Sequence, residues 1–509
     1  MPRPLRILVP AVLALILLAG PATLAVHTGS ASSADAAAIP GDALRVCETG
    51  CAFSSIDDAL KTAGPGATIA VEGGTWAGPI EIARSVRLIG IGNPVIDGGN
   101  HGTVVRITAP DVTIQGFTIQ HSGSNFDKED SAVYIEAQRV QILDNRLLDT
   151  LFGVNAATAH DSVIARNTIV GKDVDMGVRG DGIKVWYSHR IEITGNEVSR
   201  SRDLLVWYSN DVVVSDNHVT DGRYGFHFMN SDNGIAEHNR LVNNSVAIYL
   251  MYGRNFVIRD NLLQGSRGPS GHGLGLKEID GVLVEGNIIY DNRIGIFIDN
   301  SPLSPNVYSH FRNNLIAYND QGFGVLPSSR NNILSHNSMI DNLEQIAILG
   351  GGKLGKNQWS EDGAGNFWSD YAGIDRDGDG IGDVPYRSEQ LSEHMMDTWP
   401  ALQLFRFSVA ETAVDFGARA IPMFRMEPKL TDEHPLMAPV IPAGAPRPEG
   451  ASDPNRSSLW AVALLACAGG ALAWGVRGTR YRPQAHPDRL PSGTAVPTPF
   501  PQPIERSQP

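Results

Sequence analysis

Residues 213–239 read VVSDNHVTDGRYGFHFMNSDNGIAEHN, and they run from one marked asparagine to the next. A short apolar run ends at Asn217, and a similar run ends 22 residues later at Asn239. The pattern recurs as ILDN (Asn145), IARN (Asn167), ITGN (Asn196), VSDN (Asn217), AEHN (Asn239), IRDN (Asn261), VEGN (Asn287), FRNN (Asn314) and LSHN (Asn337). The spacings are 22, 29, 21, 22, 22, 26, 27 and 23 residues. A period near 22 with strand-like runs predicts stacked coils of three short strands each, a parallel β-helix. Asparagines stacked about 4.8 Å apart can hydrogen-bond to one another and to the turn backbone, so their role is structural. Longer spacings are coils with longer loops.

The strand in this unit, YGFHFM, alternates Phe226 and Phe228 with His227 and Met229. Alternate side chains of a strand point to opposite faces. Aligned on the asparagines, the equivalent runs are IKVW, LVW, IYLM and LGLK, with apolar first and third places (Ile183 and Val185, Ile248 and Leu250, Leu274 and Leu276). Those line the core. The other places face out: Trp186, Trp207, Met229, Met251 and Lys277 in one column, Lys184, Leu205, His227 and Tyr249 in the next. Met229 and Met251, one coil apart, stand about 5 Å from each other with His227 on the same face. Thioether and imidazole together suit copper(I). Three readings of this column stay open: packing beneath a loop, a protein-facing surface centred on Trp186, Trp207 and Tyr249, and a soft-metal site.

A second constellation is DRDGDGIGD, residues 375–383. Asp375, Asp377, Asp379 and Asp383 fall at positions 1, 3, 5 and 9 of an EF-hand-type loop, but Tyr386 stands where the bidentate glutamate belongs. Calcium and a solvated acidic turn both fit. Fragments of a polysaccharide-hydrolase pattern occur at GDGIK (180–184) and GHG (271–273). Their Asp181 and His272 are separated by three asparagine-marked turns, about 15–20 Å, too far to act on one bond. No group of aspartates in adjacent coils is expected at one outward column, and the chain reads as non-catalytic.

The formal net charge of −14 argues against a nucleic-acid groove. Residues 1–38 carry Arg3 and Arg6, an apolar run and small residues, an export signal. Cys47 and Cys51 lie in CETGC, where a disulfide or, less simply, a metal pair is expected outside the cytoplasm. The run 459–476, 18 residues followed by Arg477, Arg480 and Arg482, spans about 27 Å as a helix and reads as a membrane anchor with its basic side in the cytoplasm. The domain map is a signal at 1–38, coils at 39–350, an Asp-rich cap at 351–398 and a helical segment at 399–428. A linker at 429–457, a transmembrane helix at 458–477 and a disordered cytoplasmic tail at 478–509 complete it. The fold class is all-β: a right-handed, pectin-lyase-like parallel β-helix of about a dozen coils, with a capping helix near 53–63 and a C-terminal helical, Asp-rich portion.

The coils GDGIKVWYS, RYGFHFMNSD, AIYLMY and GLGLKEID, then GNFWSDYAGIDRDGDGIGDVPY and FGARAIPMFRMEPKLTDEHPLMAP, resemble the NosD-type family of periplasmic β-helix proteins from about Phe53 to Pro439. That resemblance implies an assembly factor for the copper–sulfide centre of nitrous oxide reductase. Its implied partners are an ABC transporter permease and ATPase, a copper chaperone and the reductase. The alternatives are a uronan lyase or epimerase, and a surface scaffold.

Overall fold

The computed structural model describes residues 39–350, 354, 356–388, 391–405, 408–420 and 428–445. Residue 216 shows how each coil is made. Asp216 sits in the left-handed region (φ 55°), between the strand Val213–Ser215 and the strand His218–Thr220. The residue before every ladder asparagine does the same: Asp144, Arg166, Gly195, Asp216, His238, Asp260, Gly286, Asn313 and His336. Aspartate, asparagine, histidine and glycine tolerate that conformation best, which explains their frequency just before the marker. The bend turns the chain from one sheet to the next and tucks the asparagine side chain inside.

Repeated, this unit builds three parallel sheets of 13, 12 and 13 strands. Together they form the right-handed parallel β-helix expected from the repeat. Strands Asp203–Trp207, Tyr224–Met229, Val246–Arg254 and His272–Asp280 lie side by side in the 12-stranded sheet. One continuous apolar core fills the interior, with Phe226 and Phe228 fully enclosed.

The asparagines form a single hydrogen-bonded chain. Phe117 N donates to Asn145 Oδ1 at 3.0 Å, Asn217 N to Asn239 Oδ1 at 2.9 Å, and Asn337 N to Asn366 Oδ1 at 3.1 Å. Each amide Nδ2 also donates to a core-side carbonyl, as Asn239 does to Val214 O at 2.8 Å. The chain ends on a carboxylate: Asn366 N donates to Asp432 Oδ2 at 2.8 Å, and Trp368 Nε1 donates to the same oxygen at 2.9 Å. Burial pushes the Asp432 carboxyl above its usual range despite these donors.

The N-terminal end is closed by helix α1 (Ile56–Thr62), capped by Ser55 and burying Ile56, Ala59 and Leu60. Cys47 and Cys51 are joined as a disulfide, so they are not a thiolate pair for metal.

At the other end the domain map needs correction. The segment expected as linker from 429 returns to the stack: Asp432 and Leu430 are buried, and Ser338 Oγ donates to Val440 O at 2.7 Å. The composition is linker-like, but Asp432 supplies the acceptor that the last asparagine turn lacks. Helix also begins earlier than expected, with α2 at Leu391–Thr398, a 3-10 turn at Pro400–Phe405 and α3 at Val409–Ala420. The signal and transmembrane assignments lie outside the described residues. Among the described residues no helix is long and apolar enough to cross a membrane. The described residues, from 39 to 445, belong to one compact unit.

Replacing Asn239 by alanine orphans the Asn217 N–H inside the stack and removes one donor from the Val214 carbonyl. A buried orphan costs about 1–3 kcal/mol. Urea unfolding should therefore show a clearly lower midpoint, with the β-sheet circular dichroism of the folded state retained.

Candidate functional site

The outer face of the 12-stranded sheet carries two columns in strict register. One runs Asn155, Lys184, Leu205, His227, Tyr249 and Gly275; the other runs Ala157, Trp186, Trp207, Met229, Met251 and Lys277. Met229 and Met251 are paired neighbours and half-buried. His227 points away from the core as its alternation requires, yet it is buried, contrary to the expectation that it looks at solvent. Its cover is aromatic. The Tyr224 ring packs edge-on at 4.7 Å and Tyr249 lies at 6.4 Å.

A register shift between Asp203 and Leu205 creates the rest of the pocket. One coil spends two residues where the next spends three, and such a bulge re-aims side chains. Asp203 is thereby fully enclosed beside His227. Its Oδ2 lies 3.3 Å from His227 Nδ1, and Arg223 Nε donates to Oδ1 at 3.0 Å. Burial raises the Asp203 carboxyl, but the His227 and Arg223 hydrogen bonds outweigh it and hold the group below its usual range.

On its other side, His227 Nε2 lies 3.4 Å from Met251 Sδ. This contact is chemically informative. With Asp203 ionised, Nδ1 must carry the proton, so neutral His227 turns the Nε2 lone pair toward the sulfur lone pair. The opposite tautomer would face a bare Nδ1 against a carboxylate. A soft metal at Nε2 would meet both the imidazole lone pair and the Met251 sulfur. A carboxylate on the remote nitrogen is also how metal-binding imidazoles are oriented. The residues present therefore fit copper(I), with Met229 the adjacent second thioether.

Two other histidines do not. His160 and His189 stack at 5.2 Å, and each Nδ1 accepts a backbone N–H, from His189 at 3.1 Å and Asn210 at 2.9 Å. Their Nε2 atoms then carry hydrogen. His272 lies beyond Tyr249 against Phe297, and burial, then Arg293, pushes its pKa down to about 4.

The carboxylates depart from expectation. Asp181 and Asp203 come from adjacent coils and do interact: burial and then the Asp203 charge push Asp181 up to about 7. Their strands pair without a register shift, Ile183 opposite Leu204. Asp181 and His272 stay apart, by four coil steps rather than the three expected, along Ile183, Leu204, Phe226, Ile248 and Leu274.

Next to the methionines is an aromatic patch. Tyr187 stacks on Tyr208 at 5.0 Å, Trp207 on Tyr208 at 5.5 Å, and Trp186 meets Tyr187 edge-on at 5.0 Å. With Glu129, Tyr134 and Lys184 they line a hollow of about 340 Å³. Tyr187 and Tyr208 escaped sequence reading, although each precedes a serine (Ser188, Ser209) of a second ladder at that corner, Ser188 N donating to Ser209 Oγ at 2.9 Å.

Asp375, Asp377 and Asp379 gather their carboxylates within 4.8 Å, and Asp383 is not among them. Backbone N–H groups of Gly378 and Gly380 hold the Asp375 carboxyl low, at 2.7 and 3.0 Å. Asp383 Oδ2 instead accepts the Arg376 N–H at 2.8 Å, which corrects its place in the proposed loop.

Residues 165–373 match the model of a family described as "Periplasmic copper-binding protein (NosD)". A Pseudomonas aeruginosa protein described as a probable ABC transporter binding protein NosD is 30% identical over 402 residues, 74% of this chain and 89% of its own length. A Stutzerimonas stutzeri protein with the same description is 30% identical over 386 residues, 72% and 85% of the two chains. Among solved structures, the A-module of an Azotobacter vinelandii mannuronan C-5 epimerase aligns with a TM-score of 0.47 at 15% identity, covering 61% of this chain and 93% of the module.

Because folding raises the Asp181 pKa, its contribution to stability is greatest below about pH 4 and is lost as pH rises through about 7. Urea midpoints of Asp181→Asn should therefore fall less than those of the parent between pH 5 and pH 8. Parallel declines in the two proteins would refute the assignment.

Proposed function

The chain belongs to the NosD family, and from that premise we propose that it is an extracytoplasmic, non-catalytic assembly factor that carries copper for the copper–sulfide centre of nitrous oxide reductase. It works with an ABC transporter, receives copper from a chaperone and docks the reductase. Copper is cargo here, so the site must bind and also release it.

The observation that carries this reading is the 3.4 Å approach of His227 Nε2 to Met251 Sδ, with Asp203 behind Nδ1. His227 offers one strong nitrogen, Met251 and Met229 offer soft and weakly binding sulfurs, and the described residues place no free thiol beside them to trap the metal. Asp203 acts as a positioning residue by fixing the tautomer. Tyr224 and Tyr249 exclude water from the imidazole. The exposed Trp186, Tyr187 and Tyr208 surround the route to the sulfurs and suit a docking protein, since aromatics concentrate at such surfaces.

Purified protein should take up about one copper(I) per chain with an affinity that a competing chelator can measure. His227→Ala with Met229→Ala and Met251→Ala should abolish that uptake while leaving the circular dichroism intact. Asp203→Asn should weaken it by about 10–100-fold, the usual effect of losing an orienting partner. Retention of copper by the triple variant at parental affinity would sink the ligand assignment.

A second reading, an enzyme acting on acidic polysaccharides, draws on the Asp181–Asp203 pair and the aromatic hollow. It predicts turnover of polyuronates with calcium that disappears in Asp181→Asn. The assembly-factor reading predicts none.

A further inference from the structure

His227 is 8% exposed, so a metal reaches its Nε2 freely only when part of the cover moves. Two tyrosine rings form that cover, and they are held differently. Tyr224 is tied down: the Arg223 guanidinium lies over its ring at 4.5 Å, and its backbone N–H donates to Asp203 Oδ1 at 3.3 Å. The half-buried Tyr249 side chain rests on other rings. It stacks on Tyr224 at 5.6 Å, with His227 at 6.4 Å and His272 at 6.1 Å. Among the described residues its hydroxyl has no hydrogen-bond partner.

The seat of the Tyr249 ring is a missing side chain. Gly275 follows Tyr249 in the same outward column, and Phe297 follows Gly275. A β-carbon at position 275 would lie 2.1 and 2.3 Å from Cδ2 and Cε2 of the Tyr249 ring, deep inside van der Waals contact. The backbone there is ordinary strand, so no turn requires the glycine. Neighbouring strand glycines have another reason. A β-carbon at Gly273 would meet Gly295 O at 2.7 Å, and one at Gly295 would meet Gly322 O at 2.6 Å. Close backbone approach between coils demands those two. Gly275 instead makes room for a ring, although a glycine inside a strand weakens it. The other wall of the slot is His272 Nδ1, which would stand 3.3 Å from that β-carbon and has no partner among the described residues.

We propose that Tyr249 is a shutter on the copper site: closed, its ring lies in the slot at Gly275, and metal enters and leaves His227 Nε2 when the ring lifts out. The proposal rests on the copper reading above and adds control of access to it. Tyr249 is the next residue to His227 along the column, so lifting its ring uncovers the imidazole without breaking a strand hydrogen bond. The movement is a side-chain rotation, and no polar anchor among the described residues opposes it. A shutter also answers a need of weak ligands. Slow exit retains cargo that shallow binding alone would lose, and opening releases it.

The test is the rate of copper(I) exchange with a chromogenic chelator, followed by stopped flow in variants whose circular dichroism matches the parent. Tyr249→Ala should raise the association and dissociation rates together, by about tenfold, with their ratio little changed. Tyr249→Phe keeps the ring and should exchange as the parent does. Gly275→Ala should shift the parental rates yet change nothing further in a Tyr249→Ala background, where its clash is gone. Parental rates in Tyr249→Ala, or a rise in dissociation alone, overturn the shutter. A metal-free measurement separates this result from the copper reading: modification of His227 by diethyl pyrocarbonate, read by peptide mass spectrometry against the exposed His238. Tyr249→Ala should speed that modification about tenfold, and an unchanged speed overturns the shutter whether or not copper binds. Faster modification in a protein that takes up no copper overturns the copper reading and leaves Tyr249 as the moving cover of the imidazole.

Discussion

The amide-to-amide hydrogen bond between successive asparagines is the interaction on which the rest depends. Each side chain accepts from the backbone N–H of the asparagine one coil earlier and donates to a carbonyl of the core, as Asn196 does with Asn167 N at 2.9 Å and Ile164 O at 2.8 Å. A carboxylate could not do both, because it cannot donate. Because the bonds run in one direction along the axis, a slip of one residue in any coil would break two of them and turn the coil's apolar set outward. The ladder thus fixes the phase of every coil, and with it which side chains share an outward column. The copper candidates meet because Asn217 and Asn239 stack.

Much of this was legible in the sequence. The nine asparagines, the inward Phe226 and Phe228, and the pairing of Met229 with Met251 follow from a period and an alternation. A further ladder also left a trace. Asn244, Asn292, Asn319 and Asn342 each stand five places after a ladder asparagine and bond in the same way, Asn292 N donating to Asn319 Oδ1 at 2.9 Å. What periodicity hides is anything set by a departure from it. Asp203 reaches His227 through the one-residue bulge. Asp432 closes the first ladder from 66 residues beyond Asn366, a distance no local pattern spans.

Polar satisfaction is nearly complete along the ladders and fails around the functional face. Buried side-chain atoms without a partner among the described residues include Asp181 Oδ1, Arg202 Nε, Trp207 Nε1, His272 Nδ1 and Arg293 Nε, all in or beside strands of the 12-stranded sheet. An unpaired buried polar group costs free energy, so a stable scaffold is needed to hold several of them. Four further unpaired atoms among the described residues, Thr150 Oγ1, Ser201 Oγ, Ser266 Oγ and Asn332 Oδ1, include two from strands of the other sheets. The lone pairs of His227 and Met251 facing each other belong to the same pattern.

A carrier must hold its cargo firmly enough to receive it and weakly enough to release it. Rigidity and weak chelation meet both demands. The coil stack fixes the imidazole and the two thioethers in position, so little ordering entropy is lost when a metal arrives. The ligands themselves are few and soft, so the bound state is shallow. Adaptable docking then has to be supplied elsewhere, because a ladder-locked face cannot adjust to several partners. A helical arm stands at the far end of the same ladder. It hangs between Tyr386 and Asp432, and Asp432 is the terminal acceptor of the asparagine chain.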